Sequence, residues 1–216
     1  MSQEELLQQK GPFILTALER QKKDSSRFSL FINDKYAVGI SLDTYEHFNL
    51  TKGQSLNREL IDEICAFEEL SQARNEGLRY IAKKMRSSFE IKQKLKKSGY
   101  SSPVIERVLQ EFRDKNYIDD KDYAETFTRD FLNFKQAGIF KLKKTLQQKG
   151  IATNLIEQTI EKYLSSEQQL QAARKLAQKK LRLLEGKDKK KEKIYRYLVQ
   201  KGFENPTVMQ VLNEFF

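Results

Sequence analysis

The sequence predicts a mostly α-helical protein: three tandem three-helix repeats in an elongated array, preceded by a small N-terminal β-hairpin/α module. Three observations predict it. Glycine and proline are scarce, at 9 and 3 of 216 residues, which disfavours a turn-rich sandwich or barrel and leaves room for long helices. Period-two alternation is confined to the first 71 residues, where Phe28, Leu30 and Ile32 alternate with Ser29, Phe31 and Asn33. From about residue 72 the apolar spacing is helical and recurs. A Leu, three residues, a Gly and an apolar residue appear as Leu95…Gly99-Tyr100, Leu146…Gly150-Ile151 and Leu198…Gly202-Phe203. The glycines are 51 and 52 residues apart.

In residues 1–71, Asn33-Asp34-Lys35 is a turn signal and Tyr36, Val38 and Ile40 resume the alternation, which predicts a hairpin. An earlier strand through Phe13–Gln21 extends it. Ser41 is placed to cap a short helix through Phe48, and Leu60, Ile61, Ile64, Phe67 and Leu70 predict a helix near 57–71 that closes the module. His47 and Cys65 fall here without a sequence partner for catalysis and are read as packing or surface residues.

The repeats are expected to occupy residues 72–118, 119–165 and 166–216. Four positions before each Leu stand Ile91, Leu142 and Ile194. Six, ten and thirteen positions after each Gly stand Ile105, Ile156 and Val208, then Leu109, Ile160 and Leu212, then Phe112, Tyr163 and Phe215. Each Gly is read as the left-handed residue that ends a helix, where the absence of a Cβ removes the steric cost. A further helix starts at Ser102-Pro103, Thr153 and Asn205-Pro206. An opening helix is marked by Leu78, Ile81, Ala82 and Met85, by Tyr123, Ala124, Phe127 and Phe131, and by Leu170, Ala173, Leu176 and Ala177. Stacking such units buries the apolar face that each leaves open.

Charge separates the same two regions. The net charge is +10, yet residues 1–71 hold 8 Lys/Arg against 12 Asp/Glu, leaving 32 against 18 in residues 72–216. A basic helical body attracts a polyanion or an acidic protein surface. The basic candidates are Lys83, Lys84 and Arg86; Lys141, Lys143 and Lys144; and Lys187, Lys189, Lys190, Lys191, Lys193 and Arg196, read as falling near or within the second helix of each repeat. Tyr80, Phe89, Phe134, Phe140, Tyr195 and Tyr197 interleave with them and could stack on bases, although aromatics at helical spacing are more often core.

Other chemistry is missing from the sequence. One His and one Cys exclude an internal disulfide and a Cys/His zinc cluster, and neither GxxxxGK[ST] nor GxGxxG occurs. Asp119-Asp120-Lys121-Asp122 is the one acidic cluster that suggests Mg²⁺; it is better read as a helix start, where carboxylates meet the positive dipole end. No catalytic, cofactor-binding or metal-ligating residue is assigned. No run approaches the roughly 20 apolar residues that span a bilayer. Met1-Ser2-Gln3-Glu4-Glu5 lacks the basic start of a secretory signal, so a cytoplasmic location and no membrane partner are expected.

Several stretches resemble the RecX regulatory proteins. They are Leu78-Arg79-Tyr80-Ile81-Ala82 with Arg86-Ser87 and Leu95 to Tyr100, the join Asn116-Tyr117-Ile118-Asp119-Asp120-Lys121-Asp122-Tyr123-Ala124, Gly138 through Leu142 to Ile151, and Lys193-Ile194-Tyr195-Arg196-Tyr197-Leu198 through Phe203. The resemblance covers about residues 72–216, and the N-terminal module is similar to the extension of longer members. Lys84 and Lys141 stand where Arg is usual, and Thr145 where Glu is usual; Lys keeps the charge but loses the planar fork. The resemblance implies a non-enzymatic, monomeric modulator that binds the RecA recombinase and its filament on single-stranded DNA. It further implies changes, inhibitory in many members, to recombinase, ATPase and co-protease activity in homologous recombination, DNA repair and the SOS response. Two other readings stay open: a module that binds single- or double-stranded DNA without recombinase, and a scaffold solenoid with an unrelated partner.

Overall fold

A computed structural model describes residues 11–22, 24–134, 137–186 and 188–216. These form two compact units, one of residues up to 84 with 92–114, the other of residues 85–91 with 115–216. The first pentapeptide and Lys187 lie outside the described residues.

The first unit opens with strands β1 (Phe13–Arg20), β2 (Arg27–Ile32) and β3 (Lys35–Ser41), then helix α1 (Leu42–His47) and a two-residue strand β4 (Ser55–Leu56). They form an antiparallel sheet of order β3-β2-β1-β4, so the expected hairpin is the edge of a four-stranded sheet. Ile32 pairs with Lys35, and the two residues between them, Asn33 and Asp34, both have positive φ, 50° and 60°. That is the twist a two-residue hairpin loop requires, and Asn and Asp tolerate it. Phe13, Leu15, Leu30, Ile32 and Ile40 are buried against Leu50, Leu56, Ile61 and Ile64. His47 stacks on Phe67 at 4.2 Å and Cys65 packs at the edge of this core, so both are packing residues.

Helix α2 (Arg58–Ile81) corrects one expectation. The helix that closes the module and the helix that opens the first repeat are a single element of 24 residues, so the expected 71/72 boundary falls inside it. Asn57 caps it by accepting the Leu60 N–H at 2.8 Å. Ile61 and Ile64 face the sheet, while Gly77 lies under the Phe112 ring of α4 (Ser102–Asp114), where an added Cβ would come within 2.8 Å of Phe112 Cε2. The helix ends at Ile81 with Ala82 as its cap, and Met85, expected within it, is exposed beyond it.

The remaining helices are α3 (Ser88–Lys97), α5 (Asp120–Phe134), α6 (Ile139–Gln148), α7 (Thr153–Tyr163), α8 (Ser166–Arg182), α9 (Lys190–Gln200) and α10 (Asn205–Phe215). The repeat register is borne out residue by residue. Ile91, Leu142 and Ile194, and Leu95, Leu146 and Leu198, are all fully buried, and Ile105, Ile156 and Val208 are nearly so. Gly99, Gly150 and Gly202 have φ of +94°, +73° and +90°. At each, the next residue donates its N–H to the carbonyl of the repeat Leu: Tyr100 to Leu95 at 3.3 Å, Ile151 to Leu146 at 3.1 Å and Phe203 to Leu198 at 3.2 Å. The Gly N–H bonds one residue further along, to Lys96, Gln147 and Val199. These paired bonds are Schellman caps, which need the left-handed residue and favour an apolar one after it.

In every repeat an ion pair also ties the first helix to the third. Arg74 of α2 meets Glu111 of α4 at 3.3 Å, Lys162 of α7 meets Glu125 of α5 at 2.8 Å, and Arg174 of α8 grips Glu214 of α10 with Nε and Nη2, each at 2.6 Å.

Candidate functional site

The second unit contains two end-to-start junctions between second helices. At the first, α6 ends against the start of α3. Ser87 accepts the Glu90 N–H at 3.2 Å and Glu90 accepts the Ser87 N–H at 3.3 Å, a reciprocal capping box encoded by Ser87-Ser88-Phe89-Glu90. The Ser87 hydroxyl then donates to the Lys149 carbonyl at 2.6 Å, and the Lys149 ammonium reaches Glu90 at 2.7 Å. Gly150 lies against Phe89. Burial pushes the Glu90 carboxyl up, but the Lys149 hydrogen bond, the Ser87 N–H and the Lys149 charge outweigh it and hold it below the usual range. Burial and the same Glu90 charge push the Tyr123 phenol far up, so it remains a neutral donor.

The second junction repeats the first with different chemistry. Gly138, twelve positions before Gly150 as Ser87 is before Gly99, donates its N–H to the Lys201 carbonyl at 3.0 Å, and Phe140 donates to Gly202 at 2.9 Å. A Cβ on Gly138 would overlap the Gly202 carbonyl, so glycine is required there by close approach, although its φ of −80° is ordinary. The partner of Lys201, by register, is not a carboxylate but Lys141.

The sequence-predicted basic residues divide between the units. Lys83 and Lys84 are exposed in the first unit, after α2. Arg86 belongs to the second unit and is turned inward, its side chain 14% exposed and its guanidinium 3.8 Å from Glu90, so it is a structural residue rather than part of an open patch. Lys141 and Lys144 are exposed on α6 and Lys143 is half-buried. Lys189 precedes α9 with φ of +57°; Lys191 and Lys193 are exposed and Lys190 half-buried on that helix. Arg196 pairs with Glu192 one turn earlier, at the surface. The equivalence holds for the second and third repeats, where Lys141 matches Lys193 and Lys144 matches Arg196. It fails in the first, which has Glu90 and Gln93 there.

Of the aromatics, Phe134 is 82% exposed and Phe140 and Phe89 partly so, while Tyr197 lies between the ammonium groups of Lys180 and Lys201 at 5.2 and 5.5 Å. Tyr195 points to Asn205 at 3.4 Å. Sequence reasoning missed Lys149, Lys175, Lys179 and Lys201; the Lys that precedes Gly150 and Gly202 at the same register was the available signal.

The acidic cluster does helix-starting work. Asp119 accepts the N–H groups of Lys121 and Asp122 at 2.7 and 3.2 Å, and Asp120 accepts that of Ser88 at 2.8 Å. Among the described residues no group of His, Cys, Asp or Glu side chains could hold a metal, and no helix is long and apolar enough to cross a membrane.

A strand module followed by three three-helix domains defines a modular protein whose surface, rather than an enclosed pocket, carries the charged side chains. Family models match in that order: Regulatory protein RecX N-terminal domain over residues 13–57, and the RecX first, second and third three-helix domains over 73–112, 119–160 and 167–212. The chain is 34% identical over 201 residues to the regulatory protein RecX of Staphylococcus aureus strains JH9 and N315, covering 93% of this chain and 74% of theirs. A crystal structure of regulatory protein RecX superposes with a TM-score of 0.74 at 26% identity, over 93% of this chain and 99% of that one. RecX from Lactobacillus salivarius gives 0.62 at 26% identity, over 68% and 96%. The chain belongs to the RecX family of regulatory proteins.

Proposed function

We propose that this protein is a non-enzymatic regulator that binds the RecA recombinase and its filament on single-stranded DNA, and that it inhibits recombinase, ATPase and co-protease activity in recombination and DNA repair. The observation that carries this reading is the end-to-start chaining of repeats. Lys149-Gly150 seats on Ser87–Glu90 and Lys201-Gly202 on Gly138–Lys141, and the second and third repeats carry exposed basic side chains at matching positions, Lys141 with Lys193 and Lys144 with Arg196. A regular array suits a target that itself repeats. In this reading the working parts are the three repeats, taken as residues 72–118, 119–165 and 166–216, acting as a cytoplasmic monomer.

The test is a titration of the full chain into a recombinase reaction on single-stranded DNA, with ATP hydrolysis and strand exchange followed together. Both are expected to fall as the protein approaches a fixed ratio to recombinase; no change at stoichiometric ratios would sink the proposal. A second reading, a nucleic-acid-binding module that needs no recombinase, is favoured by the 32 basic against 18 acidic residues after position 71. Its signature is binding to naked DNA that weakens steeply with salt.

A further inference from the structure

Helices α9 and α10 of the third repeat meet at the Gly202 turn and leave an apolar face uncovered. Tyr195 and Val199, one turn apart on α9, are 37% and 45% exposed, and Met209 on α10 is 42% exposed. The Tyr195 hydroxyl lies 3.4 Å from Asn205 Oδ1, one turn before Met209, so the ring reaches toward α10 and joins the two helices in one face. At about 100° per residue, Tyr195 and Val199 stand about half a turn around α9 from Tyr197 and Lys201. The face therefore looks away from the cations gathered at Tyr197.

The other repeats show what these positions hold on a purely solvated surface. By the repeat spacing, Tyr195, Val199 and Met209 match Lys143, Gln147 and Glu157 in the second repeat, and Lys92, Lys96 and Glu106 in the first. Lys92 and Glu106 form an ion pair between α3 and α4, so the matching Tyr195 and Met209 face each other across α9 and α10. The third repeat keeps this framework but replaces charged and polar side chains with three apolar ones. From Asn205 to Asn213, α10 carries no charged residue, whereas the matching residues 153–161 include Glu157 and Glu161. The charge beside the face comes from α9, where Lys191, exposed one turn before Tyr195, and Arg196, one turn before Val199, outnumber Glu192.

We propose that this face docks an amphipathic helix of a protein partner, its apolar stripe on Tyr195, Val199 and Met209 and its acidic side chains beside Lys191 and Arg196. Exposed apolar side chains grouped within a charged surface mark an interaction site. Two neighbouring helices present a groove that receives the ridge of a third, and no strand among the described residues of this unit offers an edge to an extended peptide. A second copy fits the face poorly, because a two-fold contact would bring the same cationic rim of both copies together. Val199 and Met209 offer neither a hydrogen bond nor a ring to a nucleic-acid base. The face is apart from the basic side chains matched between the repeats, so the proposal does not rest on the filament reading.

The test is fluorescence anisotropy of the full chain with a labelled peptide of about 18 residues, leucines at i, i+3, i+4 and i+7 and glutamates flanking them. The peptide is expected to bind, and a scrambled peptide of the same composition to bind at least about tenfold more weakly. Tyr195→Lys/Val199→Gln/Met209→Glu gives the third repeat the side chains of the second. It is expected to lower affinity at least about tenfold while the melting temperature stays that of the unsubstituted protein, which separates lost binding from lost folding. Lys191→Glu, at the exposed rim, is expected to weaken binding severalfold with every apolar side chain in place. A folded triple variant that binds the peptide normally overturns the proposal. So does equal binding of the scrambled peptide, which would leave charge alone as the attraction, and so does a lack of binding by the unsubstituted chain. A sedimentation mass that doubles with concentration, and stays monomeric in the triple variant, would give the face to a second copy and overturn it too. Because recombinase is absent, failure here leaves filament regulation to its own ATPase and strand-exchange test.

Discussion

Lys149 reaches back 59 residues to place its ammonium 2.7 Å from the Glu90 carboxylate, within the capping box that starts α3. Glu90 thus closes a helix start and anchors a helix end together. Glu90→Gln removes the charge but can keep part of the box, whereas Glu90→Ala also leaves the Ser87 N–H and Lys149 without their acceptor. Glu90→Ala is expected to destabilise the second unit by about 2–3 kcal/mol and Glu90→Gln by about half that. Urea unfolding at pH 7 measures both; equal losses would show that the ion pair, not the box, carries the energy.

The three repeat glycines share a backbone conformation but differ in what surrounds them, so they separate strain from crowding. Gly99 has open space around a would-be Cβ, while one on Gly150 would overlap Phe89. Gly99→Ala is expected to cost about 1–2 kcal/mol, the left-handed penalty alone. Gly150→Ala should cost more and loosen the first junction. Gly138→Ala should also cost more than Gly99→Ala despite a permissive φ, because the clash with Gly202 is steric. Melting temperatures of the three variants give the order directly.

The repeat was legible because Schellman caps leave a local signature: Leu95, Leu146 and Leu198 supply the carbonyl, and the residue after each Gly supplies the N–H. The edge strand Ser55–Leu56 was not legible, since two residues carry no period. The break expected near residue 71 had no chemical cause. No Gly or Pro lies between Arg58 and Glu76, and Gly77 serves packing under Phe112 rather than termination. The basic candidates were recognised as residue types but not as a site. Arg86 is spent on Glu90, and Lys179 and Lys201 come to line one cleft with Lys141 only once α6, α8 and α9 have packed.

The N-terminal module carries its own acid-sensitive element. Glu68 is 2% exposed, and its carboxylate accepts the Ser41 N–H at 2.7 Å, the Thr44 hydroxyl at 2.6 Å and the Gln72 amide at 2.7 Å, with Arg27 at 3.1 Å. Burial pushes its carboxyl up, but those donors outweigh burial and hold it below the usual range. A carboxyl lowered by folding stabilises the folded state above its unfolded value of about 4.3, and that contribution fades as pH falls through the folded value. The module is therefore expected to lose stability below about pH 4, with a shallower loss in Glu68→Gln. Circular dichroism melts between pH 3 and 7 measure the difference; parallel curves would rule out Glu68 as the sensor.

The basic candidates themselves are expected to split into two behaviours. Arg86, with its side chain largely buried beside Glu90, contributes to folding, so Arg86→Ala should cost about 1–3 kcal/mol. Lys84, Lys144, Lys191 and Lys193 are exposed, and their replacement by Ala should change stability by no more than about 0.5 kcal/mol. If the repeats engage a polyanionic filament through these side chains, the quadruple variant should instead need several times more protein to halve the recombinase ATPase rate. Raising salt should narrow the gap between the two proteins, because screening removes what the substitutions removed. A quadruple variant that inhibits at the original ratio would assign filament contact to other side chains, while a loss of stability equal to that of Arg86→Ala would mean that these lysines, too, are part of the fold.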